Sequence, residues 1–160
     1  MNDSLTVVKV QKALQECETH LKRMRYASNK LSTIMPLNEP RYKALSDEEV
    51  EALDQYIFRF TKLQDAIGER LFRLILDLLE EPAKNQPFLD KLNRLEQLGA
   101  LNSKAQWLEL RALRNQLTHK YEDDARSMSE AINQVFDSFS LITEIFQQSQ
   151  TFITPYLNQS

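Results

Sequence analysis

Apolar residues recur at alternating spacings of three and four along most of this chain, the period of packed amphipathic helices. The first run takes in Val7, Val10, Leu14, Cys17, Leu21, Met24 and Leu31, with Ser28 in the vacant slot. Capped by Ser4 or Thr6, it predicts one long helix ending near Leu31. Residues 32–45 contain Pro36 and Pro40 and read as a loop. Proline lacks a backbone donor and keeps its predecessor out of the helical region. Ser46-Asp-Glu-Glu49 is a capping box that opens a second helix running to about Glu80. Its seam is Val50, Leu53, Ile57, Phe60, Ile67, Leu71, Leu74 and Leu78, with polar Gln64 in a middle slot. Leu63, Phe72, Ile75 and Leu79 widen the stripe, which predicts a central position for this helix.

Asn85-Gln-Pro87 starts a short helix carrying Phe88, Leu92, Leu95 and Leu98, and Gly99 suits its C-terminal cap. Ser103-Lys-Ala-Gln106 is a second capping box. The helix it opens turns Trp107, Leu110, Leu113 and Leu117 inward. Glu122-Asp-Asp124 reads as a turn, and Asp124 can also cap the last helix. That helix carries Met128, Ile132, Val135, Phe139, Ile142, Phe146 and Ile153 and reaches at least Gln150. The pattern predicts one all-α domain over residues 1–160, an antiparallel four-helix bundle with one additional short helix.

Composition agrees with that reading. Only two glycines occur, Gly68 and Gly99, so few hairpin turns can be built, and helix-forming residues dominate. The formal net charge is −3, from 20 basic and 23 acidic residues, which weakens any claim of broad nucleic-acid affinity. A local basic cleft, or one built by two subunits, stays open. The single Cys17 rules out an internal disulfide and points to a reducing compartment; its seam position makes it a core thiol. Two histidines and one cysteine argue against a His/Cys metal cluster, and no cofactor is expected. The N-terminus lacks a basic segment followed by an apolar run, and no stretch approaches the ~20 apolar residues of a membrane span. A cytoplasmic protein without a membrane role is expected. His20 lies beside the first seam and is expected at the surface, and Lys62, Arg70 and Arg73 read as solvated charges.

The candidate chemistry is concentrated in Arg114-Asn-Gln-Leu-Thr-His119-Lys-Tyr121. A neutral histidine near pKa ~6.5 can take the proton from a ribose 2′-hydroxyl. An arginine, always charged and forked, can hold phosphate oxygens and offset charge in the transition state. Asn115 adds a neutral polar contact or sets the histidine tautomer, and Asp65 is placed to pair with Arg111 or Arg114 and orient it. Together these residues suit metal-independent cleavage of RNA. On a regular helix Arg114 and Tyr121 share a face to within ~20°, whereas Arg114 and His119 lie ~140° apart. Either the helix loosens near His119, or two copies meet across a two-fold axis and line one cleft; the second is favoured. Symmetry would also double Arg111, Arg114 and Lys120 at one place.

Arg114, His119 and Tyr121, with Asn115 beside the arginine, form an Arg-x4-His-x-Tyr motif near the end of a bundle helix. This resembles the HEPN superfamily, most closely the HepT-like toxins paired with MNT nucleotidyltransferase antitoxins. The resemblance implies a homodimeric endoribonuclease toxin with Arg114 and His119 as its catalytic pair at the dimer interface. It also implies a nucleotidyltransferase partner that can transfer AMP to Tyr121 and silence the toxin. The alternative is a non-catalytic substrate-binding or regulatory subunit of such a nucleotidyltransferase.

Overall fold

Local signals start and stop most helices where the pattern puts them. The computed structural model describes residues 4–119 and 124–158, which are all-α with no strand among them. Helix α1 spans Ser4–Leu31. A short α2, Glu39–Lys43, comes next. Helix α3, Asp47–Asp65, opens on the expected capping box, with Ser46 Oγ accepting from Glu49 N and Ser46 N donating to Glu49 Oε1. It continues through a π-helical turn, Ala66–Leu71, into α4, Phe72–Leu78. After a 3₁₀ turn at Pro82–Asn85 comes α5, Phe88–Leu98, closed by Gly99 at φ 90°. Helix α6 is Lys104–His119, α7 is Ala125–Asp137 and α8 is Phe139–Leu157.

Neighbouring helices run antiparallel. His20 meets Arg59 while Glu16 meets Arg70, so α1 descends along α3 as that helix climbs. Arg25 lies over Phe139 and Glu18 accepts from Gln150, which sets α8 antiparallel to α1. Gln64 reaches Leu110 and Gly68 meets Trp107, which does the same for α3 and α6. The core between them is apolar, with Val10, Cys17, Met24, Phe60, Leu63, Ile67, Leu71, Ile75, Leu110 and Ile142 sealed from solvent. Burial pushes the Cys17 thiol up to about 12, so it packs as a small hydrophobe.

Four departures from the expected pattern have physical causes. The 32–45 loop contains α2, because Asn38 caps it and Pro40 sits in the first turn, where its missing N–H costs nothing. The second helix changes period, with Phe72 N donating five residues back to Ile67 O. One inserted residue turns everything after it by about 100°, and Leu74, Ile75 and Leu76 are all buried because α4 packs against both α1 and α5. Val50, assigned to the seam, is exposed, and Tyr56 is buried instead. The last helix is broken at Ser138 into α7 and α8. There the buried Tyr56 hydroxyl donates to Val135 O and Phe136 O, at 3.0 and 3.2 Å. Ser138 Oγ also donates to Val135 O. Asn133 then clamps Leu37 through both its backbone N–H and C=O, tying the 32–38 segment to α7.

His20 also departs from expectation, being buried rather than superficial. Arg59 donates to its Nδ1 at 3.0 Å. An arginine can only donate, so the proton sits on Nε2, which faces Glu16 at 3.3 Å. Arg70 also pairs with Glu16. Burial lowers the His20 pKa, with Glu16 opposing and Arg59 and Arg70 assisting.

These contacts set two expectations for stability. Tyr56→Phe removes a donor from Phe136 O, while Val135 O keeps the Ser138 hydroxyl, and should cost about 1–2 kcal/mol in urea unfolding. Because the folded state holds His20 neutral, the unfolded state binds more protons as pH falls through ~6.5. Stability should therefore be full above that pH and decline below it. His20→Gln should flatten this decline when unfolding midpoints at pH 7.5 and 5.5 are compared.

A basic cleft between α3, α5 and α6

The site begins with how α6 is held. Ser103 Oγ accepts from Gln106 N, and the Glu96 carboxylate takes Lys104 N, so the first turn of α6 is satisfied from two sides. From α8, Gln148 and Ser149 donate to Gly99 O and Ala100 O and hold the turn before it. Trp107 and Leu110 then face inward, buried at 1% and 0% exposure. The indole lies edge-on to Phe72, with ring centroids 5.0 Å apart, and rests on Gly68 of the π turn. A Cβ at Gly68 would lie 2.8 Å from Trp107 Cζ2.

That seating opens a cleft of about 370 Å³ beside the indole. Gln64, Gly68 and Trp107 line it together with Phe88 and Lys91 of α5. Arg73, Arg111, Arg114, Asp65 and Glu69 supply the remaining charge. Arg114 Nη1 donates to Asp65 Oδ1, and both side chains are partly buried. Arg111 sits over the Phe88 ring, 4.8 Å from its centroid. Gln64 Nε2 donates to Leu110 O at 2.8 Å, but Gln64 Oε1 and Trp107 Nε1 are buried without a partner. Buried polar atoms nearly always have partners, so two orphans in one cleft are unusual.

Of the residues expected to act, the structure joins Asp65, Arg111 and Arg114 in this cleft. Asn115 is exposed on another face of α6. The backbone remains helical through His119. The His119 side chain, Lys120 and Tyr121 lie outside the described residues. Ala105, Leu108, Ala112 and Asn115 are all exposed and have the spacing three, four, three. The next position in that spacing is 119. Among the described residues, no three His, Cys, Asp or Glu side chains group as metal ligands, and no helix is long and apolar enough to cross a membrane.

Reading the chain alone misses Arg73, Lys91, Phe88 and the π turn as parts of a site. The available signal was a glycine inside a long helix, four residues after a polar interruption of its seam. No family model, curated protein or solved structure matches this chain.

Gly68→Ala tests the seating of the indole. Alanine gains about 1 kcal/mol of helix propensity. Forcing a methyl against a rigid ring costs about 1–3 kcal/mol. The net expectation is a loss of stability, with a shift in emission from Trp107, the chain's single tryptophan.

Proposed function

We propose that this protein is a metal-independent endoribonuclease of the HEPN type, acting as a homodimer and restrained as a toxin by a nucleotidyltransferase antitoxin. The observation that carries this reading is the two-sidedness of α6. One side locks Arg114 to Asp65, and the other presents an unpartnered seam of Ala105, Leu108, Ala112 and Asn115 leading toward position 119. With the backbone helical through His119, Arg114 and His119 diverge by ~140°. Two copies joined along that seam bring the histidine of each chain near the arginine of the other. Ala105 and Ala112 allow close approach, Leu108 supplies an apolar contact, and the period is that of a helix-pairing seam.

In the proposed reaction neutral His119 removes the ribose 2′-hydroxyl proton, and the 2′-oxygen attacks the adjacent phosphorus. The bond to the 5′-oxygen breaks, leaving a 2′,3′-cyclic phosphate, and the second subunit's copy of His119, protonated, returns a proton to the leaving oxygen. Arg114 offsets the charge on the phosphoryl oxygens, and Asp65 holds its guanidinium in place. Asn115, Lys120 and Arg111 supply further RNA contacts. AMP on Tyr121 would add bulk and negative charge to the motif and silence the site.

Inducible expression of the wild type beside Arg114→Ala and His119→Ala, with fold checked by circular dichroism, tests this reading. Growth arrest and RNA loss are expected from the wild type, and cleavage should fall at least ~100-fold in each variant. Leu108→Glu should yield monomers and the same loss. Intact RNA in every case would favour the non-catalytic subunit of a nucleotidyltransferase.

A further inference from the structure

We infer that the cleft between α3, α5 and α6 is a nucleotide pocket, taking a phosphate on Arg73 and Lys91 and a base against Arg111 and Trp107. The charge is the first ground. Four cations line the cleft against two carboxylates, and the Arg114–Asp65 pair cancels within itself. Arg73, Lys91 and Arg111 then face only Glu69. The Arg73 and Lys91 side chains have no hydrogen-bond or ion-pair partner among the described residues. A chain of net charge −3 thus gathers uncompensated positive charge in one concave place. Like charges held together favour an anion between them, and a forked guanidinium beside an ammonium suits phosphate oxygens.

The second ground is the surface beside those cations. Arg111 is held over Phe88, and its other face is a stacking surface of the kind bases use. A simple carboxylate or inorganic phosphate would leave that surface unused. The third ground is unspent hydrogen-bonding capacity. Trp107 Nε1 offers one donor and Gln64 Oε1 one acceptor, both unpartnered in residues that line the cleft. A base edge carries both complements. These two atoms are sealed from solvent, so a base reaches them only by shifting the amide or the indole. The cavity of about 370 Å³ is within the usual range for small ligands, about 300–1,000 Å³.

The nucleotide can come from an RNA strand or be free in solution, and the pocket does not require the cleavage reading. The test is a fluorescence titration of Trp107 in the full chain carrying His119→Ala, which removes the proposed cleavage. The probes are each nucleoside 5′-monophosphate, inorganic phosphate, and a mixed-sequence single-stranded RNA 10-mer, the last repeated at several salt concentrations. We expect a saturable emission change, weakened at least about tenfold by Arg73→Ala/Lys91→Ala and retained by Arg73→Lys. For the RNA, the double variant should also reduce the slope of log K against log salt by about 1.4.

Response to RNA without response to monophosphates assigns the pocket to a strand; the reverse assigns it to a free nucleotide. Three results overturn the proposal: no emission change with any nucleotide or RNA up to millimolar concentration, undiminished binding in the double variant, or equal affinity for inorganic phosphate and nucleotides. If nucleotides bind but the wild type cuts no RNA, the pocket stands and the ribonuclease reading falls.

Discussion

The seating of Trp107 on Gly68 governs the spacing of α3 and α6. A ring that large, buried completely, contributes at most about 4–6 kcal/mol of transfer free energy. Its Cζ2 edge can sit against the π turn only because residue 68 has no side chain. Once the indole is in place, Gln64 is within reach of the Leu110 carbonyl and Asp65 within reach of Arg114. The cleft is the space left beside the indole. Its contents therefore depend on one glycine and one tryptophan.

Two helices in this fold are irregular, and they are treated differently. The break between α7 and α8 frees carbonyls that Tyr56 and Ser138 satisfy, so the break is fully compensated. At the π turn the neighbouring Gln64 oxygen and Trp107 nitrogen remain unsatisfied. The first arrangement makes a bend in a scaffold. The second leaves hydrogen-bonding capacity unspent beside a π turn, an element that recurs at functional sites. The buried His20, with Glu16, Arg59 and Arg70, ties α1 to α3 and the π turn.

Helix α6 joins the two candidate surfaces. Its inner side completes the cleft, and its outer side presents Ala105, Leu108, Ala112 and Asn115 at a pairing period. Arg114 stands between them, already committed to Asp65. In the proposed reaction an RNA phosphate would compete with that carboxylate or use the guanidinium's remaining donors. Asp65 therefore keeps a permanent charge oriented without neutralising all its hydrogen bonds.

Short-range signals along the chain are enough for the all-α class, the end of α1 at Leu31, the capping box at Ser46, the glycine cap at Gly99 and the Asp124 cap of α7. Each is a local matter of period, a side-chain oxygen or a backbone angle, contained within a few neighbouring residues. The chain also singles out Asp65 as a partner for an arginine on the adjacent helix, because a carboxylate beside a seam interruption has few other uses. Packing between distant segments was needed to bury His20, to break the last helix at Ser138, and to bring Arg73 and Lys91 into a cleft with Arg111. Those outcomes rest on residues tens of positions apart. Tyr56 must reach α7, Arg59 must reach α1, and Trp107 must find a turn without a Cβ. Periodicity along one helix carries no information about which side chain waits on the next.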